Sequence, residues 1–458
     1  MKKKTSLLAL GLLVFSATAL VGCNGGETPS DDTSTAGIVK KASGMTLTEL
    51  ENAAKAEMET ATGKEDGFKI VGLTSTLSKA AAKFEQKYTW MKDKWSCNNS
   101  YKDYTLLTAL SAADSSYFAD FALVQDARSL SDYLEERTTI NYVPSDYANL
   151  GLAEADTYPL KGIHFNKIFF SNKHMNIDLH NVWQLSGSKN DAGHISNFSF
   201  QSPVTEQINM SFLLSLYSED GVARLTSAYK DFYGKEWAAS KDYTNISDEY
   251  VKGLIGNIST FHGSDGTAMK ETQAKETDPS KATLYYGAYA KMKDAAAKYY
   301  DVTYPDGAKL STTDADGNKY DSKTNSHPEA SAMSTVKWDY EIKGFNGFMY
   351  TMYSQIVNHA KYPYTACLYA RFMLTPDCYK AMCYNSVTAN KAGEAANMYG
   401  YYYPAVVSNT SDGVQDNDND WSKDKWMKCS IVEDYSFLKN VKSGTLNTIL
   451  TWVNSNKN

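Results

Sequence analysis

Residues 68–88 read FKIVGLTSTLSKAAAKFEQKY, and this stretch decides the fold class. The apolar run 68–73 is typical of a short buried strand, and the polar turn 74–76 ends it. A helix is predicted from about Leu77, because apolar side chains then recur at helical spacing. These side chains are Ala80, Ala81, Phe84 and Tyr88. Strand, polar turn and helix in this order form the opening unit of an α/β fold.

The same alternation of strand and helix continues along the chain. Further strands are predicted over 118–124, 162–170, 282–290 and 345–356, and the second is interrupted by Asn166 and Lys167. Further helices are predicted over 46–59, around Leu130 and Leu134, over 209–217, over 364–373 and at the C-terminus. Two polar stretches, 307–334 and 409–420, are predicted to be long surface loops. The alternation indicates a parallel or mixed sheet covered on both faces.

The N-terminus has the pattern of a secretory signal peptide. Three lysines at 2–4 precede a mostly apolar stretch over 7–20, which is shorter than the ~20 residues that a membrane-spanning helix needs. The quartet Leu20-Val21-Gly22-Cys23 resembles a bacterial lipobox, in which the thiol of Cys23 would receive a diacylglycerol anchor. An ordinary signal peptide with an incidental cysteine is the alternative. Residues 24–43, rich in Gly, Ser, Thr and Asp, are expected to form a disordered spacer.

Composition narrows the class of protein. The 458 residues suffice for two lobes, and no basic block accompanies the net charge of −7, so nucleic acid is not an expected partner. The chain has 33 tyrosines, whose flat rings and hydroxyls suit a wet binding cleft, although most are expected simply to fill core and surface. Motifs of zinc proteases, serine hydrolases and phosphate-binding loops do not occur. We therefore predict no catalytic residues, no resident metal and no cofactor.

The cysteines do not form a metal-binding pattern. Beyond Cys23 the chain carries an odd number of them, without any Cys-x-x-Cys spacing. These are Cys97, Cys367, Cys378, Cys383 and Cys429. Cys367 is expected in the core, and Cys378 has Cys383 or Cys429 as a possible disulfide partner in an oxidising compartment.

Several stretches together resemble the extracellular solute-binding proteins of bacterial ABC importers, in particular the ferric-ion and polyamine types. The resemblance lies in the order of seven motifs, at 49–57, 74–76, 79–88, 118–126, 162–170, 181–185 and 362–375. It implies the type 2 periplasmic-binding-protein fold: two α/β lobes with mixed sheets flanked by helices, a two-strand hinge and a cleft between the lobes. The strand over 162–170 would cross from the first lobe to the second.

The resemblance also implies a domain organisation and a function. The expected segments are a signal peptide (1–22), a lipidated flexible tether (23–45), lobe 1 (46–165 and 345–408), lobe 2 (166–344) and C-terminal helices that pack on both (409–458). Such a protein is a monomer outside the cytoplasm, held to the membrane by its lipid. It captures a small molecule or ion of unknown class and delivers it to the permease subunits of an ABC importer.

Three polar turns at predicted helix starts are candidate ligand contacts, because unpaired N–H groups and partial positive charge collect there. The residues concerned are Thr74, Ser75, Thr76, Ser202, Thr205, Ser264 and Asp265. Helix capping alone explains each turn equally well. Ligands in open α/β sheets lie beyond the carboxyl ends of strands, which favours the first turn and also Gln125 and Asp126. Asp126 could meet a cationic ligand group or cap the next helix.

Four further candidates lie on strands near the expected hinge: Asn166, Tyr289, Tyr350 and Tyr353. Core packing is the alternative for the tyrosines, and it is favoured for Tyr350. Ferric-ion relatives use two adjacent tyrosines, but here only Tyr289 falls in register. The pair Tyr285-Tyr286 lies one place earlier in its strand, where neighbouring side chains point to opposite faces.

Two other functions stay open at this point. A lipid-anchored glycan-binding or adhesion protein would account for the tyrosines and the long polar loops, and it predicts a flat aromatic platform. A surface hydrolase would need a clustered acid–base pair, which the sequence does not show.

Overall fold

A computed structural model describes residues 32–74, 76–99, 101, 109, 117–135, 137–172, 175, 179–188, 193–195, 198–272, 278, 283–289, 336–337, 341–383, 402–404 and 423–456. The predicted signal peptide, the lipidation residue Cys23, the turn residue Ser75 and the two predicted loops over 307–334 and 409–420 lie outside these residues. No helix within the described ranges is long and apolar enough to cross a membrane.

The strands are β1 (Phe68–Gly72), β2 (Trp95–Asn98), β3 (Phe121–Val124), β4 (Thr139–Ile140), β5 (Lys161–Asn172), β6 (Phe198–Gln201), β7 (Ile258–His262), β8 (Leu284–Ala288), β9 (Val336–Lys337), β10 (Gly347–Val357), β11 (Tyr402–Pro404) and β12 (Ile431–Val432). The helices are α1 (Thr35–Ala42), α2 (Leu47–Met58), α3 (Leu77–Lys87), α4 (Ala127–Glu135), α5 (Trp183–Ser186), α6 (Gln207–Ser215), α7 (Glu219–Tyr233), α8 (Ile246–Asn257), α9 (Asp265–Thr272), α10 (Pro363–Phe372), α11 (Pro376–Cys383), α12 (Lys423–Cys429), α13 (Tyr435–Leu438) and α14 (Ser443–Ser455).

The sheet consists of two parallel halves joined by two long antiparallel strands. Its main order is β2-β1-β3-β10-β5-β8-β6-β7. Strands β1, β2 and β3 run parallel to one another, and so do β6, β7 and β8. Between them β10 and β5 pair along most of their length, and each is antiparallel to the outer strand beside it. We refer to the β1–β3 half with its helices as lobe 1 and to the β6–β8 half with its helices as lobe 2.

Lobe 1 is held together by a helix layer on one face of β1–β3. Helix α2 begins with a reciprocal capping box, in which Thr46 and Glu49 each accept a hydrogen bond from the other's backbone N–H. Helix α2 packs on α10 and helix α11 packs on α3, while an aromatic cluster joins α3 to α10. At its centre Tyr369 makes edge-to-face contacts with Phe84 at 5.1 Å and Phe121 at 4.8 Å, which tie the helices to β3.

Lobe 2 is built around helix α6, which is apolar on nearly all sides and buried from Ile208 to Ser215. A helix of this kind must be enclosed by other elements. Phe212 stacks on Tyr286 of β8 at 4.8 Å, and Tyr286 in turn stacks on Phe200 of β6 at 5.3 Å. The C-terminal helices α13 and α14 also contact α6, so the end of the chain is part of this core.

Most predicted elements are confirmed within two or three residues at each end, including the predicted helix start at Leu77. Three expectations were wrong. The strand predicted over 162–170 is not interrupted, since β5 runs through Asn166 and Lys167. The tether expected over 23–45 is not flexible throughout, because α1 is capped by Ser34 and buries Val39 and Ala42 against α10. The possible disulfide of Cys378 is not formed among the described residues, whereas Cys367 is buried as predicted.

Candidate ligand-binding cleft

The register of the sheet brings the carboxyl ends of both lobes' strands to one segment of the two long strands. In lobe 1, Val124 at the end of β3 pairs with Tyr353 of β10. In lobe 2, Ala288 at the end of β8 pairs with Lys167 of β5. Because Lys167 pairs with Phe348, the segment of β10 between these levels runs from Phe348 to Tyr353, about 17 Å of strand at about 3.4 Å per residue. We call this segment, with the facing part of β5, the hinge.

The lobe 1 wall begins with two threonines after β1. The hydroxyl oxygens of Thr74 and Thr76 are 3.0 Å apart, and the Thr76 N–H donates to Thr74 Oγ1 at 3.4 Å. Thr76 is the N-cap residue of α3, yet its side chain makes no capping hydrogen bond. The start of α3 is instead held by the main chain, because the Leu77 N–H donates to the Thr74 carbonyl at 3.1 Å and the Lys79 N–H to the Thr76 carbonyl at 3.0 Å.

The second part of the lobe 1 wall follows β3. Asp126 is fully buried and accepts hydrogen bonds from the N–H groups of Arg128 at 3.1 Å and Ser129 at 3.3 Å, and from the Ser129 hydroxyl. The carboxylate thus caps α4, which is one of its two predicted roles. Gln125 lies beside it and is 3% exposed.

Asn166 is the most informative residue of the hinge. It lies in the middle of β5 opposite Met349 and is 2% exposed. Neither the amide nitrogen nor the amide oxygen of its side chain has a hydrogen-bond partner among the described residues. A buried polar group without a partner costs about 1–3 kcal/mol, so such groups usually mark a ligand or water site. Two residues earlier, on the same face of β5, His164 Nδ1 lies 2.9 Å from Thr351 Oγ1.

The lobe 2 wall contains a charged network that the sequence analysis did not identify. The ammonium of Lys167 is almost fully buried and donates to Asn209 Oδ1 at 2.9 Å. Two carboxylates flank it, Glu206 Oε1 and Asp265 Oδ1, each at 3.7 Å. The two carboxylates are partly exposed, whereas the ammonium is buried. A polar ligand could therefore form hydrogen bonds with the carboxylates in place of their contacts to Lys167.

Three further polar groups complete this wall. Ser202, at the end of β6, is 7% exposed, and its hydroxyl has no partner among the described residues. His262 Nε2, at the end of β7, lies 2.6 Å from Glu271 Oε2. Thr205 is exposed, and its hydroxyl donates to the Ser202 carbonyl at 3.3 Å. Ser264 instead caps α9 by accepting from the Thr267 N–H at 3.2 Å.

The predicted tyrosines lie at the hinge but are enclosed by other rings. Tyr289 is fully buried with Trp426 at 5.2 Å, and its N–H donates to the Asn166 carbonyl at 2.8 Å. Tyr350 stacks on Phe165 at 5.7 Å, which is the core packing favoured for it. Tyr353 is fully buried and donates to Glu433. A role of these tyrosines in ligand binding stays a prediction.

Glu433 lies beside β10 in the hinge, between the stretch of β10 that pairs with β12 and the stretch that pairs with β3. Its carboxylate accepts from the Thr351 N–H and the Tyr353 hydroxyl, both at 3.0 Å. Burial raises the pKa of this carboxyl to about 8, and the nearby charge of Asp126 acts in the same direction. Since Glu433 comes from a C-terminal segment distant in sequence, no local pattern could have identified it.

The tyrosine pair of β8 does not form an iron site. Tyr285 donates to Asp265, while Tyr286 points to the opposite face and packs among phenylalanines. Burial raises the pKa of both phenols well above the ordinary value. Within the described residues, no group of three or more His, Cys, Asp or Glu side chains is placed to hold a metal ion.

Solved structures with this architecture are known. The chain is similar to iron-bound HitA from Pseudomonas aeruginosa, with a TM-score of 0.53 at 12% identity over 85% of this chain and 99% of HitA. Apo ferric ion-binding protein A of Pasteurella haemolytica gives a TM-score of 0.51 at 11% identity, over 86% of this chain and 98% of that protein. This chain has the type 2 periplasmic-binding-protein fold. The two lobes and the two-strand hinge predicted from the sequence are thereby confirmed.

Structures with this fold differ in what they bind. The periplasmic binding protein MotA from A. tumefaciens B6, in complex with glucopine, matches with a TM-score of 0.51 at 9% identity, over 84% of this chain and 99% of MotA. The three structures named here are binding proteins. No family model matches the chain, and no curated protein matches it in sequence. The type 2 fold is therefore shown here by structure alone.

Proposed function

We propose that this protein is the solute receptor of an ABC importer and binds a small polar ligand between its lobes. The observation that carries the proposal is the meeting of both carboxyl edges at one hinge, where Asn166 is buried without a partner. Ligands of open α/β sheets lie at such edges. A ligand there would reach Thr74 and Thr76 from one side and the Lys167 network from the other.

Ligand binding would close the lobes about the hinge. A ligand shifts an equilibrium between open and closed forms only if it contacts the closed form better, and a ligand that touches both walls does so. Strands β5 and β10 are continuous through the hinge, so a change in their twist can move one lobe relative to the other. The closed form would then dock on the permease.

We extend the proposal to location and organisation. Cys23 is the lipid-bearing first residue of the mature chain, the receptor faces the outside of the cell membrane as a monomer, and the lobes divide near 165 and 344 as predicted. The glycan-platform alternative has less support, because Tyr158 is the only aromatic residue among the large exposed hydrophobic side chains of the described part of the chain.

The proposal is tested by thermal melting with a panel of metals, polyamines, sugars, phosphonates and carboxylates. We expect one class to raise the melting temperature. Thr76→Val and Ser202→Ala, one change on each wall, should both reduce that rise. The matched controls Thr451→Val and Ser455→Ala alter exposed hydroxyls of α14 and should leave it unchanged. A rise that survives both wall changes, or that only one wall affects, contradicts a ligand held between the lobes.

A further inference from the structure

A second cavity lies where lobe 1, lobe 2 and the C-terminal segment meet. Its volume is about 920 Å³, within the range of small-molecule sites. Lobe 1 contributes Tyr158 and Lys161, lobe 2 contributes 218–224 at the start of α7, and the C-terminal segment contributes 432–437. None of the residues predicted from the sequence to contact ligand lines this cavity.

Two tyrosine rings form an open corner in this cavity. Tyr158 is 59% exposed, and its ring lies 6.5 Å from that of Tyr435 at an interplanar angle of 82°. Tyr435 already accepts a cation, since Lys439 Nζ lies 5.5 Å from its ring centre. The two rings make an edge-to-face contact with each other, and the exposed face of Tyr158 can accept a cationic group.

The charges around the cavity are predominantly negative. Besides Lys439, which lies over Tyr435, both cations that line the cavity are already paired: Lys161 lies 2.6 Å from Asp156, and Arg224 Nε lies 2.7 Å from Asp220. Glu219 and Asp434, both exposed, have no cation partner among the described residues. An excess of carboxylates beside aromatic faces attracts cations.

An anion is the less suitable occupant, although a helix begins here. The first turn of α7 already carries Glu219 and Asp220, and the Ser218 side chain accepts the Gly221 N–H at 3.1 Å. These groups already compensate the partial positive charge at the start of α7, so an external anion would gain little from binding there.

We propose that this cavity binds an organic cation with an alkylated ammonium headgroup, seated in the corner of Tyr158 and Tyr435 beside the carboxylates of Glu219 and Asp434. The cavity is much larger than such a headgroup, so the rest of the ligand extends along the start of α7. This site does not depend on the proposed transport function: apart from Glu433, which also contacts the hinge, its lining residues are not those of the cleft.

The test is calorimetry with choline and with 3,3-dimethylbutan-1-ol, in which carbon replaces the charged nitrogen. Choline should bind at least about tenfold more tightly than the neutral alcohol. Tyr158→Ala should weaken choline binding about tenfold, whereas Tyr158→Phe should preserve it, since the ring alone is needed. Tyr158 is exposed, so neither change endangers the fold.

Matched controls separate the site from general effects. Tyr243→Ala removes another surface tyrosine, which faces Lys252 at 5.4 Å, and should leave choline binding unchanged. Glu219→Gln should weaken binding and its salt dependence, while Glu236→Gln at an exposed surface pair should not. Equal binding of the neutral alcohol, no effect of Tyr158→Ala, or no binding of choline at millimolar concentration would each overturn the proposal.

Discussion

Replacing Asn166 by leucine separates ligand binding from folding more cleanly than any other single change. The amide is 2% exposed, and both of its polar atoms lack partners among the described residues. Leucine has the same number and branching of side-chain heavy atoms as asparagine, a larger volume and no polar atoms. The change therefore removes the cost of a buried unpaired group, about 1–3 kcal/mol, without opening a cavity.

We expect Asn166→Leu to raise the free energy of unfolding of the unliganded protein by about 1–3 kcal/mol. At the same time it should abolish most of the ligand-dependent rise in melting temperature. Urea titration followed by circular dichroism measures the first effect, and thermal melting with the identified ligand measures the second. Asn447→Leu on the exposed face of α14 is the control and should change neither.

The reasoning has two distinct ways to fail. A variant that is less stable than the wild type would show that the amide is satisfied in the unliganded protein. A variant that keeps the full ligand-dependent rise would show that Asn166 does not contact the ligand. Either outcome removes the main observation on which the position of the site depends.

The remaining predictions concern the hinge, the network and a helix cap. The folded-state pKa of Glu433, about 8, exceeds its ordinary value of 4.5, so the stability it contributes is complete below pH 4.5 and is lost as pH rises to 8. In the wild type, the free energy of unfolding should fall between pH 5 and 8.5, and Glu433→Gln should make this fall smaller by at most about 5 kcal/mol. An unchanged pH profile would contradict the raised pKa of Glu433. Lys167→Met leaves Glu206 and Asp265 without their cation and should destabilise the protein by about 3–5 kcal/mol. Adding Glu206→Gln should restore part of this stability, and no recovery would show that the three groups are not coupled. Thr46→Ala removes half of the capping box of α2 and should cost about 1 kcal/mol in a urea titration, against no change for Thr448→Ala on α14.

The sequence predicts those parts of the fold that local patterns determine. The strand at 68–72 and the helix at 77–87 follow from residue spacing, and the helix at 47–58 follows from the Thr46 cap. The tether was predicted too long because composition alone does not show that Val39 and Ala42 meet α10, more than 300 residues later. Similarly, β5 is continuous because neighbouring strands satisfy its backbone around Asn166 and Lys167, whatever the polarity of those side chains.

The candidate site was predictable only in its outline. Thr74, Thr76 and Asp126 follow strands directly, so their place at a carboxyl edge could be expected from order along the chain. The Lys167 network could not be predicted, because its three charged side chains come from β5, α9 and the start of α6, nearly 100 residues apart. A single buried lysine in an apolar strand was the one visible signal, and it was interpreted as an interruption of the strand.

The most direct test of the central claim is small-angle X-ray scattering with and without the compound that raises the melting temperature. If both lobes grip the ligand across the hinge of β5 and β10, the radius of gyration falls on saturation, and Thr76→Val and Ser202→Ala weaken the response together. A compound that binds tightly while the radius of gyration stays the same would show that the lobes do not close on it, and the receptor function proposed for this protein would be wrong.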